Sequence, residues 1–108
     1  MRQAALILAA VLAVPSWASA QDVAAGRRVA QTCQGCHGLD GISKMPGAPS
    51  LAAQDAEYIG NQLAAYKSGA RQNEVMTVVA EGLTPEQIGA VAAYYAAIEV
   101  EVVRVPGR

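Results

Sequence analysis

Phenylalanine is absent from this 108-residue chain, and tryptophan occurs only once, at Trp17. The other aromatic residues are 4 tyrosines, whereas alanine and glycine are abundant. Such small side chains fill only a thin core, and a domain of this length often needs a cross-link or a cofactor to stay folded. The composition therefore predicts that a large apolar group outside the polypeptide completes the core.

An excess of charge of one sign is also missing. The chain has 8 basic and 9 acidic residues, and the basic residues form no run. Binding to nucleic acids or to anionic membrane surfaces depends on clusters of positive charge, so we expect neither kind of partner. The length fits one domain, and the sequence contains no internal repeat.

The first 20 residues have the features of a secretory signal peptide. Arg2 precedes an apolar run from Ala4 to Val14, and Ala18-Ser19-Ala20 offers the small residues that signal peptidase accepts. The run is too short to span a bilayer, which makes an uncleaved membrane anchor the weaker alternative. We therefore expect residues 1–20 to be removed and the mature chain to lie in the periplasm, without a membrane span.

In each of three segments, residues at positions i, i+3, i+4 and i+7 would lie on one face of a helix, so we predict three helices. Asp22, Asp55 and Thr84 are candidate N-caps of these helices, and Gly69 is the stop signal of the second. Gln87 completes a capping box with Thr84. The three faces consist of Gly26, Val29, Ala30 and Cys33; Ile59, Gln62, Leu63 and Tyr66; and Ile88, Val91, Ala92 and Tyr95.

The rest of the chain is less regular. A short helix is predicted over residues 74–81, and the Gly- and Pro-rich segment 38–49 is predicted to be a loop. Residues 99–105 show a partial strand pattern without a partner strand, which favours an extended arm; a docking strand for another subunit is the alternative. The sequence thus predicts an all-α domain over residues 21–98, with three main helices and a short fourth, followed by a tail over residues 99–108.

Cys33-Gln34-Gly35-Cys36-His37 has the C-x-x-C-H form that is typical of covalent haem attachment. The two thiols add across the two vinyl groups of haem. The imidazole of the following histidine then lies under the ring and binds the iron. One haem c per chain, wrapped by the helices, would supply the apolar mass that the side chains lack.

Three other interpretations of the motif are weaker. A thioredoxin-like redox pair requires a βαβ pattern around the cysteines. A structural zinc site requires four ligands, and Cys33, Cys36 and His37 are the only cysteine and histidine residues of the chain. A disulfide between Cys33 and Cys36 explains neither His37 nor the thin core.

The sixth ligand of the iron is expected to be a methionine sulfur, as in electron-transfer cytochromes. Only Met45 and Met76 remain after removal of the signal. Met45 follows His37 closely in the same loop, whereas Met76 comes after the second helix, where the chain can reach the opposite face of the haem. Met76 is therefore the preferred ligand, and a plain core role is its alternative.

Together these residues resemble class I c-type cytochromes, and in particular one haem domain of small bacterial mono- and dihaem cytochromes c. The resemblance implies that Gly26 lies where the first and last helices cross, close to Tyr94 or Val91. It also implies that the Pro49 carbonyl accepts a hydrogen bond from His37, and that Met76 is the distal ligand. The segments that carry it are Cys33 to His37, Gly26, Pro49-Ser50-Leu51-Ala52, Asn73-Glu74-Val75-Met76 and Ala92-Ala93-Tyr94-Tyr95.

The resemblance and the motif favour an electron-transfer protein rather than an enzyme, namely a periplasmic one-electron carrier. Its partners would be redox proteins, an electron donor and a terminal oxidase, reductase or dehydrogenase, and the chain itself a monomer or weakly associating. Gly41, Ile42, Met45 and Ala48 are expected to ring the exposed haem edge. One alternative is a cytochrome subunit of a larger periplasmic oxidoreductase complex, held by the tail. The other alternative is a haem gas sensor or peroxidase with an open distal site, and it requires that Met76 not bind iron.

Overall fold

The computed structural model of the protein describes residue 10 and residues 17–107. Within these residues the chain forms five α-helices and no β-strand. The predicted all-α fold is therefore confirmed, with α1, α3 and α5 as the three main helices. The helices are α1 (Trp17–Ala30), α2 (Gln34–His37), α3 (Ala56–Ser68), α4 (Met76–Glu81) and α5 (Pro85–Ala96).

The N-terminal part of α1 differs from the prediction. The chain is already helical at Trp17, so Asp22 lies inside the helix and does not cap it. Most of the predicted signal peptide lies outside the described residues, and its cleavage after Ala20 stays a prediction. In the part of the chain that the structure describes, no helix is long and apolar enough to cross a membrane.

The ends of α3 and α5 follow from local sequence signals. Asp55 Oδ1 accepts a hydrogen bond from the Tyr58 amide at 2.9 Å, and Gly69 closes α3 in the left-handed conformation with a φ of 85°. At the start of α5, Thr84 Oγ1 accepts a hydrogen bond from the Gln87 amide at 3.2 Å, and Gln87 Oε1 accepts one from the Thr84 amide at 2.9 Å. The predicted caps and capping box are therefore confirmed at these positions.

Two short helices are less close to the prediction. Residues 74 and 75 form a turn, so regular helix begins at Met76 rather than at Glu74. Helix α2 is a single turn within the C-x-x-C-H motif, where no helix was predicted, because four residues are too few to show a periodic pattern.

Helix α5 is the centre of the core and packs against both α1 and α3, while α3 also contacts α4. Tyr95 and Val91 are its largest fully buried side chains. Gln62, which the helical spacing placed on the buried face of α3, is only half-buried and is not a core residue. The other core residues are Ala30, Ile59, Leu63, Tyr66, Ala80, Leu83, Ile88, Ala92 and Tyr94.

Helices α1 and α5 cross at Gly26. A methyl group on this residue would overlap the carbonyl oxygen of Ala90 and lie 2.7 Å from Tyr94 Cβ. The missing side chain therefore lets the two helix backbones come into direct contact. The expected contact of Gly26 with Tyr94 is confirmed, whereas Val91 is buried in the core instead. The other residue of α5 that contacts Gly26 is Ala90, which lies on the same face of the helix as Tyr94.

Residues 99–107 form neither helix nor strand. The valines of this tail are exposed, and Val103 exposes 92% of its surface. The partial strand pattern of the tail is therefore not realised as a strand within residues 17–107.

Candidate haem site

Cys33, Cys36 and His37 lie within one helical turn. The amides of Cys36 and His37 both donate hydrogen bonds to the Cys33 carbonyl, at 3.3 and 3.0 Å. The two cysteines are free thiols and are half-buried. The turn thus brings the two thiols and the imidazole together on adjacent positions of a short, well-defined backbone.

The imidazole of His37 is fixed by the loop that follows it. His37 is 7% exposed, and its Nδ1 lies 2.8 Å from the Pro49 carbonyl oxygen. A carbonyl only accepts hydrogen bonds, so Nδ1 must carry the proton. Nε2 is thus the ring nitrogen left to bind iron, and the bond to Pro49 both fixes the ring orientation and makes Nε2 a stronger ligand.

Backbone hydrogen bonds fold the loop back onto the motif. The Lys44 amide donates to the Cys36 carbonyl at 2.8 Å, and the Leu51 amide donates to the Gly41 carbonyl at 2.7 Å. The first bond ties the loop to α2, and the second closes the loop around the segment that contains Pro49. As a result, the Pro49 carbonyl is presented to the histidine by a closed loop rather than by a free chain.

Two tyrosines of α5 anchor the first residues of this loop. Tyr95 Oη donates a hydrogen bond to the Gly38 carbonyl at 3.0 Å, and Tyr94 Oη donates one to the Leu39 carbonyl. The two rings meet edge to face, with centroids 5.1 Å apart. The sequence patterns predict both tyrosines as residues of a helix but do not predict their hydrogen bonds to the loop. The adjacent Tyr-Tyr pair is the signal that could indicate such bonds, since a buried phenol needs a hydrogen-bond partner.

Burial also raises the pKa of two groups at the motif, Cys33 and Tyr95. It raises the pKa of the Cys33 thiol, and the hydrogen bond from Thr32 offsets this only in part. Burial likewise raises the pKa of Tyr95, so its hydroxyl stays protonated and continues to donate to Gly38.

The two methionines have different surroundings. Met76 is the first residue of α4 and is half-buried against the core cluster. Met45 lies in the loop and is 48% exposed. Of the two methionines, Met76 is thus the one that packs against the apolar core.

The loop residues expected at the haem edge do not all reach the surface. Ile42 and Met45 are exposed, at 49% and 48%. Gly41, however, is buried with a φ of 73°, and a side chain there would collide with Ala52. The backbone of Gly41 therefore lies inside the loop, and the expectation that these loop residues ring the haem edge stays a prediction.

The set of donors fits a covalently bound haem. Two thiols match two vinyl groups, the imidazole of His37 offers Nε2 to iron, and a thioether is available from α4. Among residues 17–107, no group of three or more His, Cys, Asp or Glu side chains is arranged to hold a metal ion.

Comparison with known proteins agrees with this chemistry. The family model described as Cytochrome c matches residues 23–97. The chain is 41% identical over 83 residues to cytochrome c-554(548) of Halomonas halodenitrificans, covering 74% of this chain and 100% of that protein. It is 34% identical over 95 residues to the thiosulfate dehydrogenase electron acceptor of Thiomonas intermedia, covering 87% of this chain but 44% of that one.

A solved structure gives the same result for the fold. The crystal structure of reduced recombinant cytochrome c4 from Pseudomonas stutzeri superposes with a TM-score of 0.70 at 26% identity, covering 74% of this chain and 50% of that one. The chain therefore spans about half the length of some relatives and the whole of another. With its C-x-x-C-H turn and its matched residues 23–97, the chain belongs to the cytochrome c family, whose members carry electrons on a covalently attached haem.

Proposed function

We propose that the chain is a one-electron carrier of the periplasm, with a haem attached to Cys33 and Cys36 and ligated by His37 and Met76. The strongest support is the buried imidazole of His37, whose Nδ1 is engaged by the Pro49 carbonyl at 2.8 Å. This arrangement leaves Nε2 as the one ring nitrogen that can bind iron.

The bound haem supplies a ferric–ferrous couple that accepts and releases one electron. The protein residues tune that couple. Pro49 strengthens donation by His37, whereas a thioether ligand from Met76 raises the reduction potential. If His37 and Met76 both hold the iron, small molecules would be kept away from it, which suits transfer of electrons rather than conversion of a substrate.

Ile42 and Met45 are exposed apolar residues of the loop that the hydrogen bond from the Lys44 amide to the Cys36 carbonyl ties to the motif, and we propose that they contact redox partners. A contact of this size is weak and short-lived, as electron exchange between mobile partners requires. We propose a dehydrogenase as electron donor, since one relative carries the name thiosulfate dehydrogenase electron acceptor, and a terminal oxidase or reductase as acceptor. Export to the periplasm rests on the predicted signal over residues 1–20.

A permanent place in an oxidoreductase complex is the second candidate function. The exposed valines of the tail favour it, because a row of apolar side chains is costly in water unless a partner covers it. Truncation after Ile98 separates the two functions. A free carrier keeps its electron-transfer kinetics without the tail, whereas a subunit is lost from its complex.

Carbon monoxide binding to the purified, reduced protein tests the ligand assignment. We expect the wild-type protein to bind the gas very slowly and Met76→Ala to bind it rapidly, as followed by the visible spectrum. Met45→Ala is the matched control, since it removes the other methionine and should leave the iron closed.

Each other outcome has a distinct meaning. If Met45→Ala opens the iron and Met76→Ala does not, the ligand is the loop methionine. If the wild-type protein itself binds carbon monoxide readily, the sixth position is open and a sensor or an enzyme replaces the carrier.

A further inference from the structure

We propose that Asn73 is a positioning residue that holds Met76 in place and so keeps the sixth position of the iron closed. This inference rests on the proposed ligation by Met76. It concerns the backbone that presents the sulfur rather than the sulfur itself.

Asn73 makes four hydrogen bonds to residues 75–77, at the start of α4. Its side-chain Oδ1 accepts from the amides of Val75 and Met76, both at 3.0 Å. Its own amide donates to Thr77 Oγ1 at 3.0 Å, and its carbonyl accepts from the Thr77 amide at 3.1 Å. One of these bonds ends directly on the amide of the proposed ligand.

Helix α4 depends on this side chain for its start. The residue at the conventional cap position, Val75, offers no side-chain acceptor, and the first turn of the helix contains no acidic residue. A helix of six residues is also too short to persist by its own backbone bonds. Asn73 thus supplies the acceptors that otherwise-unpaired amides at this helix start need.

The chain just before Asn73 is fixed to α3 by Arg71. The Arg71 amide donates to the Ala65 carbonyl at 3.1 Å, and its Nη1 donates to Gln62 Oε1 at 2.6 Å. Its guanidinium lies over the Tyr66 ring, with Cζ 4.6 Å from the centroid. Residues 62, 65 and 66 share one face of α3, so Arg71 anchors the segment on the helix.

Only Gln72 separates these two anchors in the sequence. The position of Met76 relative to α3 is therefore set by Arg71 on one side and by Asn73 on the other. This matters because a methionine side chain has three rotatable bonds and gives little orientation by itself. If the backbone of Met76 is released, the sulfur spends more of its time away from the iron.

The test measures how often the iron is open. When carbon monoxide binds only to the open form, its binding rate is the rate of the fully open protein multiplied by the open fraction. Met76→Ala provides the fully open reference. Loss of a side-chain cap costs ~1 kcal/mol, which corresponds to about a fivefold change in a population. We therefore expect Asn73→Ala to bind carbon monoxide about five times faster than the wild-type protein.

Two further variants serve as controls. Asn73→Asp keeps an oxygen acceptor at the same position and should bind the gas at nearly the wild-type rate. Asn61→Ala makes the same change at an exposed asparagine in the middle of α3 and should have no effect. Thermal unfolding of each variant, measured alongside, shows whether the fold itself remains intact at the temperature of the assay.

The outcomes separate this inference from the assignment of the ligand. If wild-type protein is closed and Met76→Ala is open, but Asn73→Ala binds at the wild-type rate, Asn73 does not position the ligand. The inference is also overturned if Asn73→Asp is as open as Asn73→Ala, because the acceptor is then irrelevant. If Met76→Ala binds no faster than the wild-type protein, the ligand assignment fails first.

Discussion

Replacement of Gly26 by alanine should destabilise the protein by forcing α1 and α5 apart. The new methyl group would overlap the Ala90 carbonyl oxygen and lie 2.7 Å from Tyr94 Cβ, and neither of these atoms is the end of a flexible side chain. Overpacking of this kind costs up to ~3 kcal/mol, and the better helix propensity of alanine returns ~1 kcal/mol. We therefore expect Gly26→Ala to lower the free energy of unfolding by ~2 kcal/mol.

Urea unfolding followed by circular dichroism measures this change. With an m value of ~2 kcal/mol/M, the midpoint should fall by about 1 M. Gly89→Ala is the matched control, because Gly89 is an exposed residue of α5 with no atom within 4 Å of the added methyl group. This variant should be up to ~1 kcal/mol more stable than the wild-type protein. Equal midpoints for the two variants would refute the close contact of the helices at Gly26.

Two further predictions concern the loop beside the motif. Tyr95→Phe removes the donor 3.0 Å from the Gly38 carbonyl, which then keeps only the hydrogen bond from the Gly41 amide at 3.2 Å. The free energy of unfolding should therefore fall by ~0.5–1.5 kcal/mol in the same urea assay, and an unchanged midpoint would contradict this anchor. The pKa of Asp40 is lowered, first by the hydrogen bond from the Ile42 amide and then by that from Lys44. Its stabilising contribution is therefore complete above the ordinary value of 3.8 and is lost as the pH falls through the lower folded value. Asp40→Asn should make unfolding less dependent on pH below 3.8, and identical acid profiles of variant and wild type would contradict this.

Much of the local structure could be predicted from the sequence because its causes lie within a few residues. The capping box of Thr84 and Gln87, the cap at Asp55 and the stop at Gly69 each depend on neighbours at most four positions away. The helical faces of α3 and α5 repeat with the period of the helix. The C-x-x-C-H motif is likewise local, since covalent attachment and proximal ligation require the three side chains within one short segment.

The prediction failed where a local signal was incomplete. Asp22 has the right chemistry for a cap, but the chain before it is already helical, so the pattern could not locate the start of α1. The single turn of α2 is too short for a periodic signal. At Met76, the start of α4 depends on the side chain of Asn73, whose two amide partners cannot be recognised from composition.

Only the tertiary structure decided which distant residues support the site. Tyr94 and Tyr95 reach the Leu39 and Gly38 carbonyls across 55 and 57 positions of sequence, and no periodic pattern contains such a pairing. The burial of Gly41 against Ala52 likewise depends on the folded loop and not on a periodic pattern. The sequence by itself determined the helices and the haem-binding chemistry, because short-range geometry and residue type dictate both. The fold determined how the loop is held against His37, because that depends on the packing of α5 against the rest of the chain.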